Sequence, residues 1–296
     1  MANPQIEAIR EWLASKPRPT VLAERRARLL SLVDRYTVPS DVQIDAVDAS
    51  GVPAEWTLTP VADPKQVVLF LHGGAYISGG IATHRHMVAQ IGRVARTRTL
   101  ALDYRLAPEH PFPAALEDAL TGYRFLLSQG YEPANIVLAG ESAGGGLALA
   151  MLVSLRQIGA DLPACAWLSS PWTDLDMSGE SMESKATVDP LIQKPYLLEA
   201  AGAYLNGAAP RTPLASPLYA DLSGLPPMLI QVGTAETLLD DSVRLARRVA
   251  QADGRVVLDI WPEMIHAWSL FYQQLDAGQQ SLEAMGAFVR ATLDAQ

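Results

Sequence analysis

Residues Asn135 to Leu155 constrain the fold more than any other stretch. Asn135-Ile-Val-Leu-Ala139 is a short apolar run bounded by a turn and reads as a buried strand. Gly140-Glu-Ser142-Ala-Gly144 follows, and Leu147-Ala-Leu-Ala-Met-Leu-Val-Ser-Leu155 reads as a buried helix. A strand, a G-x-S-x-G turn and a helix in succession form the context of a nucleophile elbow. Gly140 and Gly144 lack Cβ atoms, so strand and helix can pass closely around the bend. The bend would lift the Ser142 hydroxyl off the backbone and place it at a helix N-terminus, where N–H groups favour developing negative charge. The pentapeptide alone arises by chance in roughly one chain in ten of this length. Its weight therefore comes from the flanking strand and helix. A phosphate-binding loop is the competing use, but the Walker lysine is absent and no G-x-G-x-x-G runs through the turn.

Around this centre, strands alternate with helices. Val42–Val47 and Ala54–Leu58 read as a hairpin across Ser50-Gly51, and Gln66–Leu71 as a more deeply buried strand. Thr83–Arg96 reads as a helix with Thr83 as its N-cap. Strand Thr99–Asp103, helix Pro113–Gln129 and strand Ala164–Leu168 continue the series. Strand Pro227–Val232, helix Leu238–Asp253, strand Val256–Ile260 and helix Gly278–Leu293 complete it. Such alternation predicts an α/β fold with a mostly parallel sheet flanked by helices. Residues 173–224 interrupt it with a Pro-, Gly-, Ser- and Ala-rich stretch and one helical patch, Pro195–Leu205; this is an insertion over the site. Residues 1–37 read as two amphipathic helical segments split by Lys16-Pro-Arg-Pro19. Arg25, Arg26 and Arg28 read there as a solvated face.

Length and charge narrow the function. The 296 residues allow one or two domains, and 49% hydrophobic against 19% charged residues suits a sizeable core. A net charge of −9 argues against nucleic acid or an anionic membrane as partner. The single cysteine, Cys165, permits no disulfide within the chain. The start lacks a basic segment followed by an apolar one, and no run approaches the length of a membrane span. A soluble cytoplasmic protein without stable membrane association is expected.

An acyl-transfer site needs a nucleophile, a base, an acid to orient the base, and donors for an oxyanion. His72-Gly73-Gly74-Ala75 directly follows the buried strand Gln66–Leu71, where elbow hydrolases carry their oxyanion loop. Ala75 replaces a third glycine; its N–H would serve if its φ is negative. The order nucleophile, acid, base leaves one histidine, since only His266 lies after Ser142. His84 and His86 are two apart on a helix and face different ways, so they do not form a metal pair. The acid should follow strand Pro227–Val232, where Glu236, Asp240 and Asp241 all stand. Asp240 and Asp241 open the next helix and suit its dipole; Glu236 lies in the loop itself.

His72-Gly-Gly-Ala75, Leu102-Asp-Tyr-Arg-Leu-Ala-Pro-Glu-His-Pro-Phe-Pro-Ala-Ala115 and Gly140-Glu-Ser-Ala-Gly-Gly145 together resemble the hormone-sensitive lipase family of α/β-hydrolases. Within it they are most similar to bacterial short-chain carboxylesterases. The resemblance covers about residues 40–296. It implies an eight-stranded sheet, a catalytic domain over 41–296, and a cap built from residues 1–40 and the 173–224 insertion. It implies hydrolysis of small-molecule esters without cofactor or metal, and often a homodimer. Position by position, it implies Ser142 as nucleophile, His266 as base and Glu236 as acid, where the family more often has Asp. Gly74, Ala75 and Ala143 become the oxyanion donors, with Gly73 shaping the loop, and Arg105 a buried ion-pair partner. Bulky Trp12, Trp172 and Met177 in the cap segments would close the far end of the pocket and favour short acyl chains. The last strand, Arg255–Trp261, would lie at a sheet edge and pair with its twofold mate. A lactonase or amidase could use the same site, and a non-catalytic binding protein could share the fold.

Overall fold

The computed structural model describes residues 3–295; the expected cap segment begins at residue 1, and residues 1, 2 and 296 lie outside the described residues. Two helices come first, α1 (Pro4–Ala14) and α2 (Leu22–Val33). The hairpin β1 (Gln43–Asp48) and β2 (Pro53–Leu58) follows, then β3 (Asp63–Leu71), α3 (Ile81–Ala95), β4 (Thr97–Leu102) and α4 (Ala114–Ser128). The centre is β5 (Ile136–Glu141), α5 (Ala143–Gln157) and β6 (Cys165–Ser169). The insertion carries α6 (Ser181–Ser184) and α7 (Lys194–Leu205). The chain closes with β7 (Met228–Gly233), α8 (Leu239–Gln251), β8 (Val256–Trp261) and α9 (Asp276–Leu293). Element ends differ from the sequence-based expectation by a few residues. α5 shows the largest shift: it starts directly after Ser142, so the glycines read as a turn are its first turn.

The eight strands form one sheet in the order β1-β2-β4-β3-β5-β6-β7-β8. β1 and β2 are antiparallel to each other, as are β2 and β4; every other pairing is parallel. The parallel strands are apolar on both faces because helices cover both. Leu69, Leu138 and Leu168 meet Leu147 and Met151 of α5 on one face. Phe70, Val137 and Trp167 meet Met87 of α3 and Met285 of α9 on the other. A separate apolar cluster joins Ile6, Ile9 and Leu13 of α1 and Leu32 of α2 to Ile265, Trp268 and Phe271. The amphipathic N-terminal helices thus pack beside the loop that carries His266.

Four local readings change. Thr83 is not an N-cap: α3 starts at Ile81, and the Thr83 hydroxyl reaches back to accept from the Gly80 N–H at 3.1 Å. Arg105 pairs with Asp118 at 2.8 Å, but its side chain is 43% exposed, so the ion pair is not buried. Arg25, Arg26 and Arg28 do not form a solvated face. Arg25 binds Glu199 of α7, Arg26 binds Glu109, and Arg28 binds the Lys16 carbonyl, because α2 meets the insertion, the 105–110 loop and the α1–α2 connection instead of facing water. Trp172 and Met177 sit in the main core and Trp12 packs edge-on against Phe271; none of the three lines the cavity.

Candidate active site

The C-terminal ends of four parallel strands converge, as they must where ligands bind in such sheets. β3 leads into His72–Ala75, β5 into Ser142, β7 into the loop holding Glu236, and β8 into the loop holding His266.

Ser142 has φ +55° and ψ −119°, a left-handed backbone that few non-glycine residues adopt. The turn is tight enough to require the expected glycines. A Cβ on Gly140 would lie 2.2 Å from the Gly144 carbonyl oxygen, and one on Gly144 would lie 2.0 Å from that of Leu71. The bend presents the Ser142 hydroxyl to His266, whose Nε2 is 2.9 Å away. On the far side of the ring, Nδ1 lies 2.9 Å from Glu236 Oε2. All three side chains are buried, Glu236 completely.

Glu236 is held in turn. Its Oε1 accepts from the Ser170 hydroxyl at 2.8 Å and from the Gly233 N–H. Asp240 and Asp241 point elsewhere. Asp240 accepts from the Ser181 N–H at 2.9 Å, and Asp241 from the N–H groups of Thr173 and Asp174 at 2.7 and 2.9 Å. Both therefore anchor the insertion; neither caps α8. Burial pushes Asp241 up to about 7.

Burial disfavours the imidazolium of His266. The hydrogen bond and charge of Glu236, with the charge of Glu141 behind them, outweigh that and raise it to about 9. Burial raises the Glu236 carboxyl, and its bond to His266 opposes the rise.

Gly74, Ala75 and Ala143 lie beside Ser142. No acceptor among the described residues takes their N–H groups. The expected negative φ at Ala75 is not found; it is +56°, between Gly74 at +123° and Tyr76 at +63°. The left-handed run lets the Gly74 carbonyl accept from the N–H groups of Ile77 and Ser78 at 3.2 and 3.0 Å. Gly74 sets the plane of the peptide that carries the Ala75 N–H, so the positive φ at Ala75 does not by itself turn that N–H away. Gly73 sits one step back, with its N–H 3.4 Å from His84 Nε2.

Three neighbours escaped the sequence reading. Glu141 Oε1 lies 3.4 Å from His266 Nε2, and its Oε2 lies 3.2 Å from His84 Nε2. Glu141 stands inside the G-x-S-x-G motif, so position alone could have flagged it. His84 and Ser170 gave no signal, because only the fold brings them in. His86 does face away from His84: its Nε2 meets the Leu270 carbonyl at 2.9 Å, and its ring stacks on Tyr36.

A cavity of about 860 Å3, including its open mouth, descends to Ser142 and His266. Its apolar walls come from Leu29, Leu32 and Val33 of α2, Leu191 and Ile192 of the insertion, and Phe271.

Residues 68–270 match a family model described as the alpha/beta hydrolase fold. The chain is 41% identical to an acetyl-hydrolase of Streptomyces hygroscopicus, covering 98% of this chain and 97% of that one. It is 35% identical to an esterase of Acinetobacter venetianus, over 83% and 82% of the two chains. A solved esterase of the bacterial hormone-sensitive lipase family superposes with a TM-score of 0.96 at 43% identity, covering 99% of each chain. A solved hormone-sensitive lipase from a metagenome library gives 0.94 at 36% identity, over 97% of this chain and 98% of that one.

Proposed function

The chain belongs to the hormone-sensitive lipase family of α/β-hydrolases and is a carboxylic ester hydrolase, and from that premise we propose that it cleaves short-chain acyl esters through Ser142, His266 and Glu236. The observation that carries the reading is the unbroken line of contacts from Ser142 Oγ through both ring nitrogens of His266 to Glu236.

His266 Nε2 takes the hydroxyl proton while Ser142 Oγ attacks the ester carbonyl. The carbonyl oxygen becomes an oxyanion and accepts from the N–H groups of Gly74, Ala75 and Ala143, which have no acceptor among the described residues. They need no reorganisation as charge develops. The imidazolium, held by Glu236, returns the proton to the departing alcohol. Water then enters by the same base and releases the acid. The domain division at about residue 40 and the role of residues 173–224 as a cap belong to the same reading.

Branched side chains from α2 and the insertion wall the cavity above Ser142, so we expect a long acyl chain to clash with them. We expect p-nitrophenyl acetate and butyrate to be hydrolysed with higher kcat/KM than the palmitate, all kept soluble. Faster turnover of the palmitate would contradict the short-chain assignment.

The raised His266 sets the pH dependence. A base must be neutral to take a proton, and His266 stays protonated until the pH approaches about 9. kcat/KM should therefore climb through neutral pH and level off on the alkaline side. A profile already flat from pH 6 upward would show that the neighbouring carboxylates do not raise His266.

β8 lies at the edge of the sheet with Val257 and Ile260 exposed, which suits pairing with a second copy. Light scattering at micromolar concentration should give about twice the 31.9 kDa chain mass; the monomer mass would reject the dimer.

A further inference from the structure

The cavity that reaches Ser142 is not apolar throughout. Arg18, Arg25 and Arg28 line the wall it shares with the N-terminal segment. Arg25 is neutralised by a two-pronged pair with Glu199, at 2.9 Å on each nitrogen. Arg18 and Arg28 are different. Among the described residues neither meets a carboxylate; the acceptors they find are carbonyls, of Leu191 and of Lys16. Nε and Nη1 of Arg18, and Nη1 of Arg28, have no acceptor among the described residues. The carboxylate whose charge reaches Arg18, Asp189, already accepts from the N–H groups of Leu191, Ile192 and Thr237. The Arg18 guanidinium lies 3.6 Å from the centre of the Tyr196 ring, a stack that fixes its plane. Burial, and the charges of Arg28 and Arg25, make its own charge harder to hold.

Two guanidiniums without a carboxylate partner line the same cavity, and their free N–H groups are not sealed in the protein, so an anion entering the cavity can take them. A guanidinium with donors to spare matches a carboxylate, which accepts on two oxygens. Glu141 is the acid that lines the same cavity, and it is engaged beside His266 and His84 at the serine end.

We propose that Arg18 and Arg28 form an anion subsite, and that the preferred esters carry a carboxylate on the part remote from the scissile bond. This rests on Ser142 being the nucleophile of an esterase. Such an ester would lie with its carbonyl at Ser142, its short chain along Leu29 and Leu191, and its carboxylate at the two guanidiniums. The carboxylate could belong to the acyl half or to the alcohol half.

Two matched pairs of substrates separate those arms. p-Nitrophenyl hydrogen glutarate against p-nitrophenyl valerate tests the acyl half. O-acetylglycolate against ethyl acetate, followed by titrating released acid, tests the alcohol half. In the wild type one anionic ester should exceed its neutral match in kcat/KM at low salt, and the excess should shrink as salt screens the charges. The ratio of anionic to neutral turnover should fall about tenfold in Arg18→Gln and in Arg28→Gln, the scale of one lost charge-assisted hydrogen bond. The neutral ester measured in each variant corrects for any disturbance of folding or of the triad. Arg18→Lys, which keeps the charge but not the fork, should recover part of the ratio. Both anionic esters falling below their neutral matches in the wild type would overturn the subsite, as would a ratio that both glutamine variants leave unchanged. No turnover of either neutral ester would overturn the esterase reading, and the subsite with it.

Discussion

Ser142→Ala is expected to lower kcat by on the order of 10⁵-fold, because members of a triad act as a unit and removing the nucleophile removes covalent catalysis altogether. Residual turnover would come from the Gly74, Ala75 and Ala143 donors acting on water alone. The fold should persist. Among the described residues the Ser142 hydroxyl hydrogen-bonds His266 alone, while the bend itself is held by backbone bonds from Ser142 N to Ser169 O and from Trp172 N to Ser142 O. Alanine must still accept the positive φ, a modest strain that serine already bears. A variant with a normal melting curve and more than about a tenth of wild-type turnover would place the nucleophile elsewhere.

Glu236→Gln is expected to lower kcat by roughly 10³–10⁴, by analogy with serine proteases whose acid is replaced by its amide. A glutamine at this position presents an amide to His266 Nδ1, and the ring then turns over to the wrong tautomer or loses its hold on the imidazolium. The same change leaves an oxygen for the Ser170 hydroxyl and the Gly233 N–H, so the loop keeps its anchors. The pH profile gives a second signature: without the Glu236 charge, the alkaline inflection should move down. Asp240→Asn and Asp241→Asn should cost less than about tenfold in activity, since each retains an acceptor for the insertion amides it binds. An active Glu236→Gln beside a dead Asp variant would mean the wrong carboxylate has been assigned.

The parts of the site that follow one another along the chain were legible in the sequence. The elbow is a local object, so its strand, its glycines and its helix stand in one unbroken run from Ile136 to Gln157. The order of strand ends then limited the base to His266 and the acid to three neighbours. What was illegible depends on contacts between distant segments. Arg25, Arg26 and Arg28 looked solvated because nothing in their own helix reveals that α7 and the 105–110 loop lie against it. The cavity wall is illegible for the same reason. Large residues such as Trp172 were natural candidates to close a pocket, yet the core takes them and branched residues of α2 do the work. Ala75 shows the limit of a backbone rule. Its positive φ is uncommon for alanine, and it accompanies a turn in which the Gly74 carbonyl accepts from the N–H groups of Ile77 and Ser78 and from the Ser78 hydroxyl.

The central claim is that Ser142 becomes covalently acylated, and trapping that intermediate tests it most directly. An ester-like fluorophosphonate reacts with an activated serine and stays attached. Intact-mass measurement after brief exposure should show one added label per chain, peptide mapping should place it on Ser142, and Ser142→Ala should take none. A label on another residue, or equal labelling of the Ser142→Ala protein, would contradict the account.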